Sequence, residues 1–427
     1  MYVARVRVRD IRGFTGAREV DLTLTRPDGT HAGWTVLAGD NGSGKTTLLR
    51  AVALAVRGER AALRLHSHDG WLTRGAERGE CTVDLVRDPV ADQFSEQVGA
   101  DLPGVRARMS WDEEMGPTGE PSVLASAGPW RDEPQGWLCA GYGPFRRLVG
   151  KPLRHPATIG ALATLFDEEA TLVEGVEWLV FQYLRSLESH GGSARLMATA
   201  LRVLGDGLLP DGYEVDRVDS AGLWVTRGGQ RFALREMSEG YRTVAALVVD
   251  LIRQVHEAFG ELPTEGARIT APGVVLIDEV GAHLHVSWQK RIGGWLTEHF
   301  PNVQFIVSTH SPYVCQAADP GGLIRLPGPD EDVPPHVADE QLYGRVVYGS
   351  ADDAVLSELF GLRSGYSDRA QLLRRELTRL EIEVVSGRAD EEQVRRYREL
   401  TGLLTSSPSA RVDEVTARLV LERITGE

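Results

Sequence analysis

The stretch LAGDNGSGKTTLL, residues 37–49, limits what this chain can be more than any other. Gly39, Gly44, Lys45 and Thr46 satisfy the spacing G-x-x-x-x-G-K-[ST], with Asp40, Asn41, Gly42 and Ser43 filling the loop and Thr47 following it. Glycine accepts positive φ, so such a loop turns tightly and aims successive N–H groups inward, at phosphate oxygens. Lys45 would set a charge against the terminal phosphates, and the Thr46 hydroxyl would ligate Mg²⁺. The flanks agree. WTVLA, residues 34–38, reads as a buried strand, and Leu48, Leu49, Val52, Ala53 and Val56 share one face of a helix. Strand, loop and helix together bring a helix N-terminus to the phosphates. Only three lysines occur, Lys45, Lys151 and Lys290. Arginine carries the remaining positive charge, and its planar fork does not replace a compact ammonium here. A glycine loop without a ligand is the competing reading, and the strand–loop–helix setting argues against it.

The chain's 427 residues suffice for two or three domains, or one large domain with insertions. A net charge of −14 makes a poor general binder of nucleic acid, although a local basic groove formed on assembly stays compatible with it. No run is long and apolar enough to span a bilayer, and MYVARVRVRD lacks a signal-peptide core, so a cytoplasmic protein with no membrane partner is expected. Cys81, Cys139 and Cys315 lie far apart and form neither a disulfide framework nor a zinc pattern.

Four further stretches carry chemistry. Val274–Ile277 is a continuous apolar run, as in a strand buried on both faces, and Asp278 and Glu279 follow at once. Asp278 would hold the Mg²⁺ shell, and Glu279 would orient or deprotonate the attacking water. A plain turn is the alternative. In NVQFIVSTHSP, residues 302–312, His310 sits at a strand end, where it would contact a γ-phosphate. Ser238, Glu239 and Gly240 open a helix whose stripe is Val244, Val248, Leu251 and Val255. Ser238 can cap it and Gly240 permits close approach of a ligand; an ordinary N-cap explains the same residues. WLCAGYGPFRRL, residues 137–148, ends in a Gly-Pro turn with Arg146 and Arg147, which would either carry a loop near the nucleotide or close the sheet.

In this order the pieces resemble the ABC-type ATPases of the SMC, RecF and OLD group. GDNGSGKT is similar to their Walker A, VVLIDE to Walker B, MSEG to a degenerate signature and IVSTHSP to the switch-histidine segment. Residues 2–14 resemble their first strand and turn, with Arg12 and Phe14 near the nucleotide. The resemblance spans roughly residues 1–325. It implies an α/β P-loop NTPase of the ABC ATPase-head type: a mixed sheet flanked by helices, with a helical subdomain and a C-terminal helical tail. The expected divisions are an N-terminal ATPase lobe (1–155), the helical subdomain and a hairpin (156–235), a C-terminal ATPase lobe (236–327), and a linker with the tail (328–427). It also implies two heads face to face around two ATP and Mg²⁺. Ser238 and Gly240 would then touch the partner's γ-phosphate, and hydrolysis by Glu279 would open the homodimer. Higher assembly is left open.

The chain departs from its relatives in places. Gly281 stands where an acid often sits, Val286 replaces a proline, and no Q-loop glutamine follows GYGPF, so slow hydrolysis is compatible. His283 and His285 read as structural and not as a metal pair.

Between Walker A and the signature, residues 79–88 alternate like a strand, while 88–104 and 116–130 read as loop-rich. Residues 170–189 form a helix striped by Leu172, Val176, Leu179, Tyr183 and Leu187, followed by a second helical run and a small hairpin. This is a compact subdomain and not a long coiled coil. After Pro327 comes an acidic, proline-rich linker, then a helical hairpin over 367–404 and a third helix near 412–424. Ser367 caps the first helix of the hairpin, Gly387 ends it, and Asp390 with Gln393 forms a capping box. The tail shows no TOPRIM or HNH pattern.

The layout looks most like stand-alone ATPases of bacterial antiphage systems: Septu-type first, which work with a separate HNH nuclease, then PARIS-type, which hold a nuclease toxin. The resemblance therefore implies a separate nuclease subunit of HNH or TOPRIM type. A RecF-like clamp on DNA, for repair or chromosome maintenance, and a slow-turnover scaffold locked by nucleotide are the alternatives.

Overall fold

The structure is a computed structural model. It describes residues 1–404 except 27, 32, 66–67, 95–103, 116–120, 131–135, 147–159, 189–190 and 363. The chain forms two compact units, Met1–Gly361 and Leu362–Glu427.

The first unit is built on a six-stranded sheet in the order His336–Val337, Leu323–Arg325, Trp34–Ala38, Val303–Thr309, Gly273–Ile277, Cys139–Tyr142. All neighbours run parallel except the antiparallel edge strand His336–Val337. The inner strands are buried along their whole length, which explains why they are mostly apolar on both faces, with Val274–Ile277 apolar throughout. In register, Thr309 lies beside Ala38 and Val307 beside Ile277. The three segments that carry the expected chemistry therefore end side by side at the carboxyl edge of one sheet.

A second, antiparallel sheet runs Val20–Thr23, Tyr2–Arg9, Arg78–Val86, Gly104–Met115, Pro121–Ala127. The two sheets join through the buried Gln304 side chain. Its Nε2 donates to Val3 O at 3.0 Å and its Oε1 accepts from Val3 N at 2.7 Å, so a side-chain amide completes the edge as a backbone would.

The helix Lys45–Arg57 is wedged between the sheets. A single buried stripe is the expectation, yet Ala51 through Arg57 are buried without interruption. The helix packs against Tyr2–Arg9, Arg78–Val86 and Gly104–Met115 of one sheet and against Cys139–Tyr142, Gly273–Ile277 and Val303–Thr309 of the other, so it is covered by both. Residues 121–127, read as loop, form an edge strand instead, because Gly104–Met115 offers a free edge to pair with.

The helices Val173–Leu187 and Gly191–Gly205 pack together and against the long helix Glu239–Phe259. Leu172 and Leu179 are buried there, whereas Leu187, expected in the same stripe, is exposed at the helix end. The expected hairpin has a third strand: Glu214–Asp219, Gly222–Arg227 and Gln230–Ala233.

The segment read as a linker, 327–340, contributes the edge strand His336–Val337 to the sheet. Two helices, Glu340–Val347 and Ala351–Val355, place Leu342, Val346 and Ala354 in the main core, joined by Leu359. The second unit holds the helices Asp368–Val385 and Glu391–Leu403. Ser367 Oγ accepts from Ala370 N, Asp390 and Gln393 form the capping box, and Gly387 follows the first helix at φ 69°. The expected third helix lies outside the described residues. Among the described residues, no helix is long and apolar enough to cross a membrane.

Candidate nucleotide site

The phosphate loop leaves the strand Trp34–Ala38 and enters the helix at Lys45. Gly44 lies at φ 100°, and a side chain there would run into the Phe14 ring. A side chain at Gly39 would strike the carbonyl of Leu326. Only glycine suits both positions. Lys45 is buried, and its Nζ donates to Gly39 O at 2.9 Å and Asp40 O at 3.0 Å. Burial pushes its pKa down, against the pull of Glu279, Asp278 and Asp40. Ser43 is buried with its hydroxyl unpartnered. Arg18 Nη2 braces the loop from outside, donating to Ser43 O at 3.2 Å and Pro327 O at 3.0 Å. Sequence reading missed Arg18; its acceptors, Gly13 O included, are backbone carbonyls, which carry no residue signature.

Arg12 is held by the segment around Trp71. Its guanidinium lies over the Trp71 ring at 5.0 Å, its N–H donates to Trp71 O, and its carbonyl accepts from Thr73 Oγ1. The residue of this turn that reaches the loop is Phe14, through Gly44.

Across the sheet, Thr46 Oγ1 donates to Asp278 Oδ2 at 2.8 Å. Ser308 Oγ donates to Asp278 Oδ1 at 2.5 Å and accepts from Glu279 N at 2.8 Å. Ser308 thus holds one carboxylate by its side chain and the next residue by its backbone; only the pairing of the strands Gly273–Ile277 and Val303–Thr309 makes this possible. Glu279 Oε1 lies 3.3 Å from His310 Nε2. Burial, then Asp278, raises the Glu279 pKa, while burial, then Lys45, lowers that of His310. Both shifts favour neutral forms, so the pair is a carboxylate of raised basicity beside a weakly basic imidazole.

Arg146 is fully enclosed. Its Nη1 donates to Gly143 O at 3.0 Å and Asp278 O at 3.1 Å, and its Nη2 to Glu279 O at 3.2 Å and Val280 O at 3.1 Å. Burial lowers its pKa to about 10. Arg147 lies outside the described residues. Gln289 is a further residue without a sequence signal. It donates to Gly281 O and Leu284 O and accepts from Ser311 Oγ, tying the loop after Glu279 to the loop after His310.

Ser238 is the N-cap residue of Glu239–Phe259, but its side chain makes no capping bond and stays exposed. A side chain at Gly240 would meet His283 O at 2.8 Å, so what approaches this glycine within the chain is backbone. Among the described residues, neither Ser238 nor Gly240 bonds the phosphate loop of its own chain. His285 caps the short helix Val286–Gln289, accepting from Ser287 N. Among the described residues no cluster of three metal-ligating side chains occurs, and the three cysteines are buried and unpaired.

An AAA-domain family described as "AAA domain, putative AbiEii toxin, Type IV TA system" matches residues 178–316, and a second AAA-domain family matches residues 5–97. The chain is 25% identical over 309 residues to Septu protein PtuA of Bacillus mycoides (strain KBAB4), covering 71% of this chain and 38% of that one. It is 38% identical over 97 residues to the retron Ec83 probable ATPase of Escherichia coli, covering 23% and 17% respectively. The chain thus spans under two fifths of the length of these curated relatives. Among solved structures, an SMC head bound to the C-winged helix domain of ScpA aligns at TM-score 0.48 and 16% identity, over 79% of this chain and 97% of that one. One AAA match carries the phosphate loop and the other carries Asp278, Glu279 and His310. The chain is thus similar to AAA-domain proteins over both segments that form the site, and to Septu protein PtuA and the retron Ec83 probable ATPase.

Proposed function

We propose that this protein is an ATP-hydrolysing switch that dimerises around two ATP molecules and controls a partner nuclease in antiphage defence. The observation that carries this reading is the convergence, at one sheet edge, of the Lys45 loop, the Thr46–Asp278 pair and the Glu279–His310 pair. The residues fit ATP with Mg²⁺. The loop is a glycine cradle that side chains would obstruct, it buries an unpartnered Ser43 hydroxyl, and Thr46 and Asp278 supply the hard oxygens Mg²⁺ takes. When bound, Mg²⁺ would neutralise charge on the β- and γ-phosphates.

The chain's own residues do the rest. Residues 39–47 hold the phosphates through backbone N–H groups, and Lys45 turns from its loop carbonyls to the terminal oxygens. Glu279 accepts the proton of the attacking water, and His310 hydrogen-bonds at the γ-phosphate while keeping the carboxylate in place. Ser238, with its hydroxyl free of capping, and Gly240 serve the partner's nucleotide. A separate nuclease, of HNH type as in the Septu systems this chain resembles or of TOPRIM type, would read the open and closed states. The acidic net charge weighs against the RecF-like clamp.

The test is phosphate release by the purified protein, with its mass in solution measured with and without Mg²⁺-ATP. Hydrolysis with an ATP-dependent dimer supports the switch. A monomer that turns over no ATP, or one that binds DNA with steep salt dependence and ignores the nuclease, refutes it.

A further inference from the structure

We propose that Arg146 is a positioning residue for hydrolysis: it sets the direction of the Glu279 carboxylate by gripping the backbone on either side of it. The inference rests on the ATPase reading given above. Glu279 sits at φ 46°, a left-handed backbone that side-chain-bearing residues seldom adopt. Nothing in the local sequence favours it, since the residue is neither Gly, Asn nor Asp. What surrounds it does. Glu279 N is held by Ser308 Oγ, and the carbonyls of 278, 279 and 280 all turn toward one guanidinium. Three successive carbonyls converging on one point require a tight turn, and a fork with two terminal nitrogens matches that need. The Glu279 side chain leaves this turn toward His310.

The fourth acceptor, Gly143 O, belongs to the turn after the strand Cys139–Tyr142. That turn is itself packed tightly, since a side chain at Gly143 would strike Thr164 O. Tyr142 O also accepts from Asp278 N at 2.7 Å. The segment leading to 146 is therefore bolted to the carboxylate strand both by its backbone and by Arg146. No glutamine follows GYGPF to link this segment to the metal side of the site. Arg146 links it to the carboxylate side instead. Among the described residues its hydrogen bonds go to main-chain oxygens, so its action passes through Glu279.

The decisive comparison is a double-mutant cycle of Arg146→Lys and Glu279→Gln. A lysine keeps the charge but has three donors on one nitrogen and cannot span four carbonyls. Single-turnover phosphate release and affinity for Mg²⁺ with a fluorescent ATP analogue are measured for all four proteins. Arg146→Lys is expected to bind nucleotide within a fewfold of wild type and to hydrolyse it about ten- to a hundredfold more slowly, the scale of a misplaced general base. In the Glu279→Gln background it should cause no further loss, because there is no carboxylate left to direct. An equal loss in both backgrounds, a loss of nucleotide affinity, or full turnover in Arg146→Lys would each overturn the proposal. Arg146→Met, which keeps the bulk of the stem without the fork, repeats the test with no donors. Absence of hydrolysis in the wild type would instead sink the ATPase reading itself, together with this one.

Discussion

Ser308→Ala tests how the carboxylate pair is held. Ser308 is fully buried, and Asp278 nearly so. The substitution removes two bonds at once: a charge-assisted one to Asp278 Oδ1 and a neutral one from Glu279 N. Bonds to charged groups contribute about 1.5–3 kcal/mol and neutral ones about 0.5–1.5 kcal/mol, so roughly 2–4.5 kcal/mol is at stake. Asp278 keeps Thr46, which places the expected loss toward the lower end of that range. The cavity left by one hydroxyl is small and adds little. Urea titration without nucleotide should show a lower midpoint for the first unit at unchanged slope. Because both bonds orient site residues, hydrolysis should fall as well, by on the order of tenfold for each 1.4 kcal/mol expressed in the transition state. An unchanged midpoint with unchanged turnover would refute the view that Ser308 holds the two acids. A lowered midpoint with wild-type turnover would confine its role to the fold.

Lys45→Ala should abolish binding of Mg²⁺-ATP in an equilibrium titration, whereas Glu279→Gln should bind it and hydrolyse at least about a hundredfold more slowly; wild-type turnover by the latter contradicts the assigned base. Ser238→Arg should bind ATP yet not hydrolyse it, and mixing it with Lys45→Ala should restore one working site per heterodimer. Mixtures with demonstrated heterodimers that hydrolyse no faster than either parent would exclude a site shared between subunits. Burial raises the Glu279 pKa, so the carboxyl stays protonated to a higher pH than a free glutamate at about 4.3. The base form is gained as pH rises through the raised value, and the acid limb of the rate profile should lie above that of an ordinary glutamate. An acid limb at the free-carboxyl value in the wild type, or one that Glu279→Asp does not move, would remove Glu279 as its source.

Much of the site was legible because the relevant rules are local. The spacing of Gly39, Gly44, Lys45 and Thr46 marked a tight glycine turn between a buried strand and a helix, and the structure has that strand, turn and helix in sequence. The apolar run Val274–Ile277 and the apolar residues Val303, Phe305, Ile306 and Val307 marked core strands, and the residues that follow such strands fall at the sheet's carboxyl edge. The hairpin caps at Ser367 and Asp390 were readable for the same reason, each bond closing within three residues.

The tertiary structure decided what depends on remote partners. Arg146 meets its acceptors across 132 to 134 residues, Arg18 braces Ser43 and Pro327, and Ser308 reaches the acids 29 and 30 positions away. Their partners are mostly backbone atoms, identical in every residue, so no side-chain pattern announces them. Burial had the same character. The helix Lys45–Arg57 shows one apolar face to a periodicity argument, but two sheets close on it and cover both sides. Residues 121–127 became a strand because an edge stood open beside them. Residues 340–359 became core because Leu342, Val346, Ala354 and Leu359 found a surface to cover. Motif and periodicity are properties of neighbours along the chain; a hydrogen bond to a distant carbonyl and the covering of a face are properties of neighbours in space.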